Sequence, residues 1–266
     1  MRTIGVIDIG TNTIRAVGYS ADNIKPLFET VFESNILKYT KDGILSLDGI
    51  NDLSDAIGNE TEFFKEKNVT EIYAFATSAM RDVKNFDEVN EHCEIEIELL
   101  SEEDEAMCDF LALTNELGEN SSGVGIDLGG GSCQIIVFAN GMIEYFSSFP
   151  IGVKRLYNKF GKFNSQDEIL TYIKEILRDV PEFNSKTLYV MGGTGKSIAK
   201  ILKTNNINTD LLCVDGFFED DCTDMINRDK IPYGVLVISQ IARLFGAESV
   251  KIMNCGSREG FVVKKR

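Results

Sequence analysis

Two short segments of the chain repeat one another, and this repeat constrains the fold more than any other feature of the sequence. The first begins at Gly5 and reads GVIDIGTNTIRAV, and the second begins at Val124 and reads VGIDLGGGSCQII. Asp8 aligns with Asp127, 119 residues further on. Each copy is an apolar strand ending in Asp, a turn of glycine and small polar residues, and a second apolar strand, which is the pattern of a tight hairpin. A repeat of this kind predicts two related halves.

Strands and helices alternate around the two predicted hairpins. Further strands are predicted at 71–76 and 187–191, and each leads through a small-residue loop into a helical stretch. Apolar residues recur at helical spacing in five stretches: 49–67, 101–117, 165–180, 194–203 and 231–245. This alternation predicts an α/β architecture. The polar, glycine-containing stretch 118–123 divides the chain into predicted domains of residues 1–118 and 119–266, with the two Asp-Gly loops facing a shared cleft.

Composition and charge exclude several classes of function. Lys and Arg number 27 against 42 Asp and Glu, a net charge of −15, and such a surface repels polyanions, so nucleic-acid binding is not expected. No apolar run approaches the roughly 20 residues of a membrane span, so a cytoplasmic protein without a membrane partner is expected. A single histidine, His92, excludes multi-histidine metal sites, and six scattered cysteines without a CxxC pair predict reduced thiols. The sequence leaves a homodimer open.

The glycine-rich turns of the two hairpins predict a phosphate site. Without Cβ atoms to block the approach, several backbone amides can point at one anion. An aspartate beside such a loop repels a bare phosphate but can hold Mg²⁺ or a metal-bound water. Asp8 and Asp127 are therefore predicted to position Mg²⁺. For either loop alone, a tight hairpin capped by its Asp is the alternative, and finding the same arrangement twice favours the phosphate site.

Two charged segments leave alternatives open. Arg81 follows a strand-end loop and could reach a phosphate with its planar guanidinium, or it could be a solvated arginine or pair with Asp82. Ser101 and Asp104 have the spacing of a capping box, which explains the acidic run at this helix start without any chemistry. One carboxylate of the run could instead serve as a general base.

The stretch 192–197, GGTGKS, ends like a nucleotide-binding P-loop. That motif requires a glycine five residues before Gly195, where this chain has Val190, so the P-loop interpretation is rejected. A backbone loop that contacts a phosphate chain stays open.

Taken in chain order, these motifs resemble the exopolyphosphatase and guanosine pentaphosphate phosphohydrolase family, Ppx/GppA, of the actin, sugar-kinase and heat-shock-ATPase superfamily. The resemblance is carried by seven segments: 8–13, 76–81, 101–106, 127–132, 150–152, 192–194 and 258–260. It implies two related ribonuclease H-like (actin-like ATPase) domains with a cleft between them.

The resemblance also implies a function and roles for individual residues. The implied reaction is Mg²⁺-dependent hydrolysis of a terminal phosphoanhydride, of short polyphosphate or of pppGpp. Glu105, directly before Ala106, aligns with the catalytic glutamate, and Asp8 and Asp127 would organise metal and water. The phosphates would be held by these residues: Thr11, Asn12, Thr13, Arg81, Gly129, Gly130, Gly131, Ser132, Gly192, Gly193 and Thr194.

Two residues depart from the family pattern. Glu102 stands where the motif has glycine, and Gln134 stands where the family usually carries a glutamate that assists the metal or the water. These departures motivate a second hypothesis, a nucleotide or polyphosphate sensor of the same fold that binds without hydrolysis. A kinase of the superfamily is a third, disfavoured because no large acceptor-binding insertion is recognisable. The resemblance is to the compact, two-domain form of the family. Together with the net charge of −15, this predicts that long polyphosphate is not the preferred substrate.

Overall fold

The chain forms two compact units in the computed structural model, which describes residues 2–10, 13–161, 166–212 and 228–266. The first unit consists of Met1–Cys108 together with Arg258–Arg266, and the second of Asp109–Ser257. The division predicted at residue 118 grouped the C-terminal segment with the second half. In the structure this segment packs with the first unit, because Phe261 and Val262 are fully buried in its core.

The described elements alternate between strands and helices. The strands are β1 (Thr3–Ile9), β2 (Thr13–Ser20), β3 (Pro26–Glu33), β4 (Thr40–Lys41), β5 (Ile44–Leu45), β6 (Glu71–Ala76), β7 (Ile97–Leu99), β8 (Gly123–Leu128), β9 (Cys133–Ala139), β10 (Met142–Phe149), β11 (Thr187–Met191), β12 (Asn206–Asn208) and β13 (Ser249–Ile252). The helices are α1 (Ile36–Tyr39), α2 (Leu47–Glu66), α3 (Ser78–Arg81), α4 (Phe86–Glu91), α5 (Glu102–Leu117), α6 (Val153–Phe160), α7 (Gln166–Ile176), α8 (Gly193–Leu202), α9 (Ile231–Leu244) and α10 (Ser257–Lys265).

The predicted elements are confirmed with small shifts at their ends. The strands predicted at 71–76 and 187–191 are β6 and β11 with the same bounds, and the five predicted helices are α2, α5, α7, α8 and α9. Helix α2 shows why the pattern works: Ile50, Leu53, Ile57 and Phe64 recur at helical spacing and are all buried. Ser46 begins this helix by accepting a hydrogen bond from the amide of Gly49.

The two large sheets share one topology, and β4 and β5 form a separate two-stranded sheet. In the first unit the strand order is β3-β2-β1-β6-β7, with an antiparallel meander of three strands followed by two parallel strands. The second unit has the order β10-β9-β8-β11-β13-β12, in which the first five positions follow the same pattern and β12 adds an antiparallel edge. The predicted α/β architecture of two related units is confirmed.

The two repeated hairpins match residue for residue. Ile9 pairs with Ile14 at the end of the first, and Leu128 pairs with Cys133 at the end of the second. Each turn is closed by a hydrogen bond from a glycine amide to the carbonyl of the residue three positions on. The two bonds are Gly10 to Thr13 at 3.0 Å and Gly129 to Ser132 at 3.1 Å.

The described part of the chain also bears on two expectations from composition. It contains no helix that is both long and apolar enough to span a membrane. Its four cysteines, Cys93, Cys108, Cys133 and Cys255, form no disulfide with one another, and Cys213 and Cys222 lie outside the described residues.

Candidate active site

In the second unit, Asp127 and the Gly192 loop meet at the ends of adjacent parallel strands. Asp127 lies near the end of β8 opposite Met191 of β11, and Gly192 follows directly. A Cβ on Gly192 would lie 2.5 Å from Asp127 Oδ1 and 2.7 Å from the carbonyl oxygen of Leu128, and the residue has φ of +90°. Only glycine allows both this close approach and this backbone conformation without strain.

The loop Gly129–Ser132 is held from one side by the start of α6. The loop carbonyls accept hydrogen bonds from α6, so the intervening amides face the other way. The amides of Gly130, Gly131 and Ser132 donate to no acceptor among the described residues, which leaves a row of donors suited to phosphate oxygens. The donors from α6 are the amides of Val153 to Gly129 at 3.1 Å, Lys154 to Gly130 at 2.9 Å and Arg155 to Gly130 at 3.0 Å, and Arg155 Nε to Gly131 at 3.0 Å.

Gly152 makes this contact possible, and it explains the motif at 150–152. A Cβ at Gly152 would lie 2.4 Å from the carbonyl carbon of Gly131 and 2.4 Å from the amide nitrogen of Ser132. Both are backbone atoms that cannot move aside independently. The sequence predicted the motif but not the reason for its glycine, which lets α6 begin directly against the loop Gly129–Ser132.

Gln134 holds Ser132 from within the hairpin. Its side chain is 5% exposed and its Nε2 donates to Ser132 Oγ at 2.9 Å. Gln134 pairs directly with Asp127 across the two strands. A glutamate here, as the resemblance implies for the family, could not donate this bond unless it were protonated.

In the first unit, the start of α5 combines a cap with an inward-facing carboxylate. Ser101 Oγ accepts from the Asp104 amide at 3.0 Å and donates to Asp104 Oδ2 at 2.9 Å, so the capping box is confirmed. The Ser101 hydroxyl lowers the pKa of Asp104 below its ordinary value. Glu105, the next residue, is only 14% exposed, whereas Glu102 is exposed to solvent. The cap therefore uses Asp104, and the side chain of the neighbouring Glu105 takes no part in it among the hydrogen bonds of the described residues.

Arg81 orients Glu105. Its Nη1 donates to Glu105 Oε2 at 2.7 Å and to the Leu100 carbonyl at 3.0 Å. The pairing with Asp82 left open by the sequence is not found among the described ion pairs. Nε and Nη2 of Arg81 donate to no described residue, and a guanidinium has five donors in a planar fork.

Asp8 occupies a different environment from the one expected for a metal ligand. Arg258 Nη1, from α10, donates to Asp8 Oδ2 at 2.9 Å, and both side chains are 22% exposed. Burial raises the pKa of Asp8, and the Arg258 guanidinium opposes that rise. Beside this pair, Tyr19 donates to Glu259 at 2.5 Å. In the sequence, Arg258 was noted only as part of the motif at 258–260, and no role was predicted for it.

The two aspartates fit Mg²⁺ unequally. The described residues contain no cluster of three potential metal ligands, but Mg²⁺ commonly uses one or two carboxylates, several waters and substrate phosphates. Asp127 fits this pattern because its carboxylate lies beside Gly192 and it precedes the Gly129–Ser132 loop near the end of β8. A cation at Asp8 would compete with Arg258 for Oδ2, so the metal role of Asp8 stays a prediction that its ion pair does not favour.

The remaining predicted binding residues are placed as follows. Thr11 and Asn12 lie outside the described residues, and Thr13 begins β2 with its side chain exposed. Gly193 opens α8, and a Cβ there would meet nothing within 4 Å. The methyl carbon of Thr194 packs against α9, since a Cβ on Gly234 would lie 2.3 Å from it.

Comparison with known proteins defines the family. The model of the Ppx/GppA phosphatase family matches residues 17–219. Exopolyphosphatase 1 of Mycobacterium tuberculosis (strain ATCC 25618 / H37Rv) is 23% identical over 301 residues, covering 98% of this chain and 88% of the relative. The crystal structure of the Aquifex aeolicus Ppx/GppA phosphatase, type II variant, matches with a TM-score of 0.87 at 20% identity, covering 99% of each chain. An exopolyphosphatase structure from Cytophaga hutchinsonii matches with a TM-score of 0.77 at 20% identity, covering 99% of this chain and 97% of the other.

The chain is an α/β protein of two compact units with the fold of the solved Ppx/GppA phosphatases. Because the family model covers well over half of the sequence, the chain belongs to the Ppx/GppA phosphatase family. The expected class of enzyme, a hydrolase of this phosphatase family, is confirmed.

Proposed function

We propose that this chain hydrolyses the terminal phosphoanhydride of a short inorganic polyphosphate or of pppGpp, with Glu105 as general base. The relatives named exopolyphosphatase support the substrate class. The observation that carries the proposal is the contact between Glu105 Oε2 and Arg81 Nη1 at 2.7 Å. This contact fixes the orientation of the largely buried Glu105 carboxylate. It also leaves Nε and Nη2 of Arg81 without an acceptor among the described residues.

Glu105 takes a proton from the attacking water. The water oxygen forms a bond to the terminal phosphorus, the bond from that phosphorus to the bridging oxygen breaks, and the shortened chain leaves as an anion. The water proton passes to a carboxylate oxygen of Glu105. Proton transfer to a positioned base contributes about a hundredfold to ten-thousandfold to such reactions.

Arg81 allows this carboxylate to work next to a polyanion. Two negative groups repel one another, and a guanidinium that donates to Glu105 through Nη1 and to a phosphate oxygen through its other nitrogens offsets that repulsion. The anchor on the Leu100 carbonyl fixes the side chain that makes both contacts.

In the second unit, considered by itself, the proposed phosphate-binding groups belong to two loops. The amides of Gly130, Gly131 and Ser132 bind non-bridging oxygens, and Gly192, Gly193 and Thr194 add the second loop. Asp127 would hold Mg²⁺, which when bound neutralises phosphate charge. The 2.9 Å hydrogen bond from Gln134 Nε2 to Ser132 Oγ fixes the orientation of the Ser132 side chain.

Phosphate release by the purified protein with Mg²⁺ tests the proposal, with tripolyphosphate, a longer polyphosphate and pppGpp as substrates. Glu105→Gln keeps the size of the side chain and is expected to lower kcat on the order of a hundredfold or more. Glu103→Gln is the matched control, because Glu103 is an exposed acid in the same helical turn. Near-normal turnover by folded Glu105→Gln protein would refute the role of Glu105.

Gln134 favours one alternative, a sensor that binds phosphate compounds without hydrolysing them. Its buried amide replaces the glutamate that the family usually carries, while still ordering Ser132 for binding. Calorimetric binding of an intact ligand to folded wild-type protein, with no phosphate released over hours, would support the sensor instead of the hydrolase.

A further inference from the structure

A basic pocket lies along α8, beyond the Gly192 loop. It has a volume of about 400 Å³ and is lined by Lys196, Ala199, Lys200, Lys203, Thr204, Asn205 and Asn254. None of these described lining residues is acidic or aromatic. Lys196 Nζ lies 3.5 Å from the Asn254 carbonyl, whereas Lys200 and Lys203 form no ion pair with any described residue.

This pocket coincides with an unusual stretch of an acidic chain. Residues 183–209 contain four lysines and neither Asp nor Glu, although the chain carries 42 acidic residues. Lys196 and Lys200 lie four residues apart on one face of α8, and Lys203, just beyond the helix, lines the same pocket. Three positive charges on one concave surface, with no ion pair to them among the described residues, attract an anion more strongly than any of them alone.

Helix electrostatics explain only part of the row of lysines. Lysine in the last turn of a helix is favoured by the helix dipole, which accounts for Lys200 and for Lys203 just beyond. Lys196 lies in the first turn, where a positive charge is disfavoured. Lys203 also adopts a left-handed conformation with φ of +54° at the C-cap, a position where glycine is the usual residue. The helix dipole therefore leaves Lys196 unexplained, and the left-handed backbone at Lys203 is one that glycine adopts more readily.

The lining also indicates which part of a ligand would bind. Proteins hold nucleobases by stacking on aromatic or flat apolar side chains, and the described lining offers only the methyl of Ala199. It offers instead three ammonium groups and the side-chain amides of Asn205 and Asn254, whereas the Thr204 hydroxyl already donates to the Asn206 carbonyl at 3.1 Å. These groups suit phosphate oxygens.

We propose that the α8 pocket, defined by Lys196, Lys200, Lys203 and Asn254, is a subsite for the distal phosphates of an inorganic polyphosphate chain. This inference rests on the proposed function, because the terminal phosphate would lie at the glycine loop that begins α8. From Gly193 to Lys203 the chain rises about 15 Å at roughly 1.5 Å per residue. The subsite therefore lengthens the bound part of a polyphosphate chain by about this distance. The polyphosphate chain, rather than a guanosine nucleotide, is thereby the preferred substrate class.

Steady-state kinetics of Lys200→Ala/Lys203→Ala on a longer polyphosphate and on tripolyphosphate test the subsite. Losing two charge-assisted contacts is expected to raise KM for the longer chain about tenfold or more, with kcat unchanged. KM for tripolyphosphate, which is too short to reach Lys203 from the loop, is expected to change little. The salt dependence of KM for the longer chain is expected to weaken in the variant.

Lys174→Ala/Lys186→Ala is the matched control, because it removes two exposed lysines of the same unit outside the pocket. An equal rise of KM in both double variants, or a rise that is equal for both chain lengths, would overturn the subsite. Wild-type protein that hydrolyses neither substrate would refute the proposed function alone. In that case, calorimetric binding of the longer polyphosphate without Mg²⁺ still tests the subsite. The Lys200→Ala/Lys203→Ala protein is expected to bind this chain more weakly than the wild type and the control variant do, and equal affinities would overturn the subsite.

Discussion

The two repeated hairpins have the same backbone but different surroundings. Both close with the same hydrogen bond and the same strand register. In the first, Asp8 is bound by Arg258 and faces Arg15 across the strands. In the second, Asp127 faces the neutral Gln134 and packs against Gly192.

This difference shows how one framework can serve two purposes. Arg258 belongs to α10, so the ion pair of Asp8 ties the C-terminal segment to the first sheet. Asp127 faces Gln134 in the strand register, and its loop has amides directed away from α6. We therefore expect the first hairpin to respond to mutation mainly in stability and the second mainly in ligand binding.

The largest expected effect contrasts glycines at the two hairpins. Gly152→Ala places a methyl 2.4 Å from loop backbone and is expected to destabilise the protein by about 3 kcal/mol. In the first hairpin, Gly10→Ala brings its Cβ no closer than 3.0 Å to the Thr13 carbonyl, so a smaller loss is expected. Urea denaturation of both variants measures the difference. Equal stabilities would contradict the close packing of α6 on the second loop.

The next effect concerns the ion pair of the first hairpin. Asp8→Ala leaves the largely buried Arg258 guanidinium without its carboxylate, and a loss of about 2 kcal/mol is expected, less than for a fully buried pair. A double-mutant cycle with Arg258→Ala measures the coupling, which should exceed about 0.5 kcal/mol. Additive losses would mean that the pair does not hold the C-terminal segment.

Gln134→Glu tests the surroundings of Asp127 in the second hairpin. It replaces a buried donor to Ser132 with a carboxylate directly opposite Asp127, so a loss of about 1 to 2 kcal/mol is expected without metal. Mg²⁺ should recover part of that loss by binding between the carboxylates. Thermal unfolding with and without Mg²⁺ checks this, and the wild type is the control. If Mg²⁺ does not change the thermal stability of Gln134→Glu, the result argues against a cation near Asp127.

The smallest effect lies at the start of α5, outside both hairpins. Asp104→Ala removes half of the capping box and is expected to cost about 1 kcal/mol at neutral pH. The pKa of Asp104 is lowered in the folded protein, so its contribution is complete above about pH 4 and is lost as the pH falls below that value. The stability difference from wild type should therefore shrink in acid. A difference that persists at pH 2 would show that the effect is not due to the carboxylate charge.

The sequence predicted the local features well because they depend on neighbouring residues. The repeat, both hairpin turns, the strands β6 and β11 and the cap at Ser101 follow from spacing and residue type, and the structure confirms them. The partners of charged groups did not follow. Arg258 lies 250 positions from Asp8, and nothing local indicates that pairing.

The contact between Arg81 and Glu105 was within reach only through the family resemblance. The residues were singled out separately, as a phosphate ligand and as a base, and their 2.7 Å contact depends on β6 and β7 lying side by side. The role of Gly152 was likewise hidden, because a close approach between backbones leaves no signal except the glycine itself.

The most direct measurement of the divided roles is the Mg²⁺ dependence of phosphate release from tripolyphosphate by Asp8→Asn and Asp127→Asn. If Asp127 holds the cation, Asp127→Asn requires about tenfold or more additional Mg²⁺ for half-maximal rate, while Asp8→Asn keeps the wild-type requirement and loses stability instead. The reverse pattern, a raised Mg²⁺ requirement in Asp8→Asn with none in Asp127→Asn, would contradict the assignment.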